Sequence, residues 1–125
     1  MRARWLFKTE PSEFSYDDLE RAGETVWDGI ANALALIHLR KVRKGDLIVL
    51  YHTGGEKAAV GLVRAASDPY PDPKARDDKR VVVDLVPYRR WKTPVPLAAV
   101  KRDARLKDWE LVTFSRLSVM PVRVV

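Results

Sequence analysis

Residues 47–66 read LIVLYHTGGEKAAVGLVRAA, and this stretch decides the fold. Its first part, Leu47–His52, is a nearly continuous apolar run, which is typical of a buried strand. Thr53-Gly54-Gly55-Glu56 then supplies a hairpin loop, and Ala58–Ala66 returns as the partner strand. Gly61 interrupts that second strand and predicts a bulge or a close approach of another backbone. The fold is therefore expected to form around a buried β-hairpin.

Strand and helix patterns precede this hairpin. Arg4–Thr9 alternates apolar and polar residues and predicts a strand. Ser15 is placed to cap a short helix over Tyr16–Ala22. Residues 26–29 (VWDG) predict a turn, and apolar residues at helical spacing predict a second helix over residues 31–41.

The region after the hairpin predicts mostly strands. Residues 68–78 hold three prolines and predict a long loop, which leads into a strand over Arg80–Trp91. A short helix is expected at Leu97–Lys101, and two last strands at Leu111–Phe114 and Ser118–Val125. Five or six strands and two or three short helices, without regular alternation, indicate an α+β fold with a curled, barrel-like sheet.

The composition excludes several classes of protein. The chain has 125 residues and no cysteine, so a single domain over residues 1–125 without disulfides or thiolate metal sites is expected. Two histidines disfavour a multi-histidine metal site, and we expect neither a metal nor a cofactor. No apolar run reaches the roughly 20 residues of a membrane span, and no signal-peptide pattern is present. We therefore expect a cytoplasmic protein without a membrane partner.

The formal net charge of +6 suits a polyanionic partner, nucleic acid first, although the same charge can simply keep a domain soluble. Asn32 is the only asparagine and glutamine is absent, which suggests a heat-adapted source and would account for part of the charge. Each candidate phosphate contact is, taken alone, also an ordinary solvated charge. The candidates are Arg40, Lys41, Arg43, Lys44, Arg89, Arg90 and Lys92.

Little in the sequence supports catalysis. His38 lies among apolar positions of a helical pattern, and no serine stands in a nucleophile elbow. The carboxylate pairs have helix-capping or surface explanations. We therefore expect a protein that is not an enzyme.

Trp27 stands out among the aromatic residues. Four tryptophans and four tyrosines in a basic domain are the side chains that readers of unstacked bases use. Trp27 lies in the predicted turn beside Asp28, where it could stack on a planar ligand while the carboxylate accepts a hydrogen bond from an amino group. Alternatively, Trp27 plugs one end of the barrel. The first interpretation predicts that Trp27→Ala removes binding while the melting transition stays near wild type.

The chain also carries short motifs in a fixed order: Trp5-Leu6-Phe7-Lys8-Thr9-Glu10-Pro11, Val26-Trp27-Asp28-Gly29-Ile30 with Asn32, Lys44-Gly45-Asp46, Leu50-Tyr51-His52-Thr53, Gly61, Tyr70-Pro71-Asp72, Val83-Asp84 and Ser115-Arg116-Leu117-Ser118-Val119-Met120-Pro121. In this order they resemble the EVE domain family, a member of the PUA-like superfamily that is related to YTH domains. The resemblance covers essentially the whole chain.

This resemblance implies a PUA-like fold, a small curved β-barrel with helices packed around it. It also implies a non-catalytic module that binds DNA or RNA and holds a modified base, methylated or oxidised cytosine first, in an aromatic pocket. We expect a monomer or a weak dimer. The pocket residues implied are Trp27, Asp28, Lys8, Thr9, Glu10, Asn32, Tyr51, His52, Arg116 and Ser118.

One departure from the family keeps a second hypothesis open. The family usually carries Arg, Tyr and Gln after its Trp-Asp-Gly motif, whereas Ala31–Leu36 is apolar at those positions. An apolar helix face suits a small-molecule-binding or protein-interaction domain on the same fold. A stable dimer that covers this helix would favour the second hypothesis.

Overall fold

The predicted hairpin lies in the middle of a curled, mixed sheet. The computed structural model describes residues 3–122, with the strands β1 (Arg4–Thr9), β2 (Thr25–Trp27), β3 (Leu47–His52), β4 (Ala58–Ala65), β5 (Tyr70–Pro71), β6 (Val81–Pro96) and β7 (Val119–Pro121). Their order is β2-β6-β4-β3-β1-β7, and the two-residue β5 pairs with β6. Only the β1–β3 pair is parallel among these strands. The sheet curls into a half-barrel, which confirms the expected α+β fold.

Short helices flank the sheet: α1 (Tyr16–Ala22), α2 (Ala33–Leu39), α3 (Leu97–Arg102) and α4 (Glu110–Thr113), with a 3-10 turn at Ala104–Leu106. The first helix begins as predicted. The hydroxyl of Ser15 accepts the backbone N–H of Asp18, and the Asp18 carboxylate accepts the backbone N–H of Ser15. Gly23 ends this helix in the left-handed region, with φ of 78°.

Close packing of β4 on β6 explains the glycine in the hairpin. A Cβ atom on Gly61 would lie 2.7 Å from the carbonyl oxygen of Arg89 and 2.9 Å from the Cα of Arg90. The strand register also shifts between Ala59 and Gly61. Both the predicted bulge and the predicted close approach are therefore confirmed.

Two segments differ in type from the sequence prediction. Leu111–Phe114, predicted as a strand, lies mostly in α4, where Leu111 alone is buried and the N–H of Thr113 reaches the carbonyl of Trp109. A short apolar run has no periodicity that separates a strand from one helical turn. Trp27, predicted in a turn, ends β2 opposite Val83, and the turn begins after it, at Gly29 with φ of 78°.

The remaining differences concern boundaries. The second helix begins later than predicted because the Asn32 side chain caps it, accepting the N–H of Ala35, and it ends earlier, at Leu39. The predicted loop at residues 68–78 contains β5, and the strand predicted at Arg80–Trp91 extends to Pro96. Of the last predicted strand, β7 forms, and residues 123–125 lie outside the described residues.

Candidate functional site

An open cavity of about 330 Å³, here called the β1–β2 cavity, lies where the end of β1 meets β2. Its lining mixes aromatic, apolar and charged side chains: Lys8, Thr9, Glu10, Glu13, Phe14, Thr25, Val26, Trp27, Asp28 and Ile30. Five residues predicted for a pocket are thus brought together: Lys8, Thr9, Glu10, Trp27 and Asp28.

Trp27 is at once a wall of this cavity and a core residue. Its side chain is only 8% exposed, and its ring centroid lies 5.8 Å from that of Phe7 and 6.1 Å from that of Phe14. These contacts hold the indole in one orientation. They also correct the expectation that Trp27→Ala leaves the melting transition unchanged, because that substitution would open the core.

Lys8 supplies the one amine of the lining. Its Nζ donates to the carbonyl of Ser115 at 2.9 Å and lies 5.8 Å from the centroid of the Tyr51 ring. Partial burial lowers the pKa of the Lys8 amine. The backbone N–H of Lys8 donates to the carbonyl of Ser118, so that residue supports the site through its main chain.

The cavity is acidic although the chain is basic. Glu10, Glu13 and Asp28 oppose the single ammonium of Lys8. Hydrogen bonds from the hydroxyl and backbone N–H of Ser12 lower the pKa of Glu10 and keep its carboxylate charged. The carboxylates of Glu13 and Asp28 are exposed, and neither forms an ion pair with any described residue. The lining therefore offers hydrogen-bond acceptors to a ligand that carries donors.

His52 and Tyr51 lie outside the lining and are buried. His52 Nε2 accepts the backbone N–H of Tyr16 at 3.1 Å, which leaves the ring proton on Nδ1, 2.8 Å from a carboxylate oxygen of Glu56. This histidine therefore ties α1 to β3. Tyr51 lies under the Lys8 side chain and positions it.

The other predicted pocket residues are also outside the lining. The side chain of Asn32 is occupied in capping α2. Arg116 is exposed, and Ser118 contributes the carbonyl that accepts from Lys8.

Several predicted phosphate contacts are already engaged. Arg90 pairs with Asp17 and, at 3.1 Å, with Glu20 of α1, so its charge is compensated within the fold. Hydrogen bonds to Asp17 are the main reason that the pKa of Arg90 is raised. Its guanidinium also lies 5.6 Å from the centroid of the Tyr16 ring. These contacts argue for a structural role of Arg90 rather than a phosphate contact.

The cluster that follows α2 is partly engaged as well. Arg40 donates to the carbonyl of Lys79 at 2.5 Å, and Arg43 donates to the carbonyls of Arg40 and Val42. Lys44 lines a different cavity, described below. Lys41, Arg89 and Lys92 are exposed.

Sequence reasoning missed half of the lining, namely Glu13, Phe14, Thr25, Val26 and Ile30. Glu13 and Phe14 follow the predicted strand end closely, and the N–H groups of both donate to the carbonyl of Glu10. The hydroxyl of Thr9 also donates to the carbonyl of Phe14 at 2.7 Å. Their position shortly after the end of β1 could have identified Glu13 and Phe14 as lining residues from the sequence.

The described part of the chain shows no metal site and no membrane span. Within residues 3–122, no group of three or more His, Cys, Asp or Glu side chains is arranged to hold a metal ion. No helix in the same range is long and apolar enough to cross a bilayer.

Comparison with known proteins supplies the family. The profile of the EVE domain matches residues 3–124. Human thymocyte nuclear protein 1 is 28% identical over 156 aligned residues, which cover 98% of this chain and 69% of that protein. Among solved structures, Rpa0253 from Rhodopseudomonas palustris is 41% identical with a TM-score of 0.91, covering 98% of this chain and 86% of its own.

A second solved structure is that of human thymocyte nuclear protein 1 in complex with DNA containing 5-methylcytosine. It is 28% identical, has a TM-score of 0.87 and covers 97% of this chain and 91% of its own. Both the profile and the structures match nearly from end to end, as the order of the sequence motifs implied. The chain belongs to the EVE domain family and has its PUA-like fold.

Proposed function

We propose that this chain is a non-catalytic nucleic-acid-binding module that holds a methylated or oxidised cytosine-like base in the β1–β2 cavity. The observation that carries the proposal is the lining, in which a fixed Trp27 ring stands beside carboxylates and one amine. The complex of the human relative with DNA containing 5-methylcytosine supports the same class of ligand.

The lining matches what an extruded base needs. The cavity volume of about 330 Å³ is at the lower end of small-ligand sites. Stacking of a base on an aromatic side chain contributes about 1–3 kcal/mol. The carboxylates of Asp28 and Glu10 can accept hydrogen bonds from the exocyclic amino group of cytosine, and the Lys8 amine can donate to its acceptors.

The same lining favours binding over catalysis. Its only hydroxyls belong to threonines, and that of Thr9 donates its proton to the carbonyl of Phe14. His52, at the end of β3, is buried and bound to Tyr16 and Glu56. Neither side chain is therefore arranged as a nucleophile with its base.

The proposal is tested by measuring the affinity for short DNA and RNA oligonucleotides that contain cytosine, 5-methylcytosine or 5-hydroxymethylcytosine. Asp28→Ala is the informative variant, because this exposed carboxylate lines the cavity without supporting the core. Glu24→Ala removes an equal charge from an exposed position outside the lining and serves as the control.

We expect Asp28→Ala to lose about tenfold in affinity for the modified oligonucleotide, as for a charged hydrogen bond of about 1.4 kcal/mol, and Glu24→Ala to lose little. Equal affinities for modified and unmodified oligonucleotides would refute modified-base recognition. Equal affinities of Asp28→Ala and Glu24→Ala for the modified oligonucleotide would refute the placement of the base in the β1–β2 cavity.

One observation favours the interaction-domain alternative. Ile37 of α2, the residue directly after the apolar segment Ala31–Leu36, is 45% exposed, so this helix does present an aliphatic side chain. If a second copy covers this face, the chain elutes as a dimer in size exclusion and Ile37→Asp restores the monomer. A wild-type chain that elutes as a monomer at high concentration would contradict self-association through α2.

A further inference from the structure

A second cavity of about 400 Å³, here called the β4–β6 cavity, lies where β6 pairs with β4, whereas β2 pairs with the other edge of β6. It is lined by Lys44, Gly45, Arg64, Ala65, Ala66 and Val86. The two charged residues of this lining are both cations, and both are exposed. Its electrostatic character is therefore opposite to that of the β1–β2 cavity.

Backbone hydrogen bonds fix the walls of this cavity. The N–H of Gly45 donates to the carbonyl of Ala65 at 2.8 Å, and the N–H of Ala65 donates to the carbonyl of Asp46 at 2.9 Å. The buried carboxylate of Asp46 in turn accepts the N–H of Arg43 and the indole N–H of Trp5. The two cationic residues consequently extend from a rigid main chain.

Arg64 is the feature that sequence reasoning passed over. It is one charge within an apolar strand, where it pairs with Val86 of β6 and Leu47 of β3. Its guanidinium forms no ion pair with any residue in the range 3–122. A planar guanidinium on the outside of a sheet presents the paired donors that match phosphate oxygens.

The carboxylates around the β4–β6 cavity have partners of their own. Asp68 accepts the backbone N–H of Lys44 at 2.9 Å. Asp84, two residues before Val86, accepts the hydroxyl of Tyr70 at 2.6 Å. Neither carboxylate forms an ion pair with Arg64, so the cavity keeps a cationic side chain for an anion.

Strand pairing relates the two cavities. Val26, in the lining of the β1–β2 cavity, is opposite Asp84, and Val86 is opposite Arg64. Because side chains alternate along a strand, these four residues lie on the outer face of the sheet, with Val26 and Arg64 roughly 12 Å apart, whereas the neighbouring Trp27 ring lies on the core-facing side. A nucleic-acid strand advances about 3.4 Å per nucleotide in a helix, so about two to four nucleotides span this gap.

We infer that the β4–β6 cavity is a phosphate site in which Arg64 and Lys44 hold a backbone phosphate a few nucleotides from the base in the β1–β2 cavity. This inference rests on the proposed function, because it takes nucleic acid as the ligand. It adds a second contact, of different chemistry, on the outer face of the sheet, where Val26 of the β1–β2 cavity also lies.

The test compares Arg64→Gln with Arg102→Gln, an exposed arginine of α3 beyond the far end of β6. Affinity is measured for a modified oligonucleotide at several salt concentrations, for the corresponding nucleoside, which lacks phosphate, and for inorganic tripolyphosphate. We expect Arg64→Gln to weaken oligonucleotide binding about fivefold and to reduce the salt slope by about one, with nucleoside binding unchanged. Arg102→Gln should match wild type in all three.

Each of the other outcomes has a separate meaning. Unchanged oligonucleotide affinity and salt slope in Arg64→Gln overturn the inference and leave the proposed function intact. If Arg64→Gln loses binding to tripolyphosphate but keeps its affinity for the oligonucleotide, the cavity is a site for free polyphosphate, and the assignment to the nucleic-acid backbone is overturned. A wild-type chain that binds none of the three ligands overturns both the inference and the proposed function.

Discussion

The β1–β2 cavity and the β4–β6 cavity lie on either side of β6 and differ in charge. Three carboxylates and one ammonium line the first, beside the rings of Trp27 and Phe14, whereas Arg64 and Lys44 are the charged residues of the second. The net charge of +6 is therefore not concentrated where a base would be held. Net charge indicates a class of partner, but only the lining shows which part of the partner each surface suits.

The two cavities also differ in their connection to the core. The Trp27 side chain is 8% exposed and packs on Phe7, whereas Arg64 is exposed on the outside of the sheet. Substitution of Trp27 therefore changes folding and binding together. Substitutions at Arg64 change binding with little effect on folding, and the following predictions test this contrast.

The largest effect is expected for Trp27→Ala. Removing a buried indole from the core should lower the free energy of unfolding by about 3–5 kcal/mol. Arg64→Ala should lower it by less than about 0.5 kcal/mol, because an exposed side chain without an ion pair contributes little. Urea denaturation of both variants measures the difference. Similar losses in the two variants would contradict the contrast in core packing.

A smaller loss is expected for Asp46→Ala, which acts beneath the β4–β6 cavity. Asp46 is 3% exposed, and its carboxylate accepts two donors, the indole N–H of Trp5 and the backbone N–H of Arg43. Leaving these donors unsatisfied should cost about 2–3 kcal/mol of unfolding free energy. The control is Asp68→Ala, which removes an exposed carboxylate with one backbone donor. Comparable denaturation midpoints for the two variants would show that the burial of Asp46 does not increase its contribution to the free energy of unfolding.

Local signals explain how much of the fold was predictable from the sequence. The helix at Tyr16–Ala22 and the strand at Leu47–His52 were predicted with the bounds observed, because a capping serine and a buried apolar run are local features. The helix at Glu110–Thr113 was not predicted, since four residues are too few to show a period. The pairing of Trp27 with Val83 depends on chain segments far apart in sequence.

The candidate site was predictable only in part for the same reason. The β1–β2 cavity gathers five predicted pocket residues, which belong to two short motifs. Tyr16, which binds His52, and Asp17, which pairs with Arg90, lie 36 and 73 residues away from them, and no local pattern reveals these contacts. Arg64 was overlooked because one charge in an apolar strand resembles an ordinary solvated residue.

Gly61→Ala tests the strand pair next to which the β4–β6 cavity forms without changing either lining. The added Cβ would meet backbone atoms of β6 at 2.7 and 2.9 Å, so the strands must separate. We expect a loss of about 1–3 kcal/mol in unfolding free energy. Gly55→Ala in the hairpin loop is the matched control, because no atom lies within 4 Å of its added Cβ. Thermal unfolding that is equally affected in both variants would argue against close packing at Gly61.

The smallest effect concerns alkaline pH and the carboxylate that lies between the cavities. The hydrogen bond to Asp84 is the main reason that the pKa of Tyr70 is raised from 10.0 to about 12. Because the unfolded phenol ionises first, this contribution to stability is complete below about pH 10 and is lost as the pH rises towards 12. The difference in unfolding free energy between wild type and Tyr70→Phe should therefore shrink between about pH 9 and about pH 11. Urea denaturation at the two pH values measures it. A difference that stays constant would mean that Asp84 does not hold the Tyr70 proton and is free to compete for Arg64.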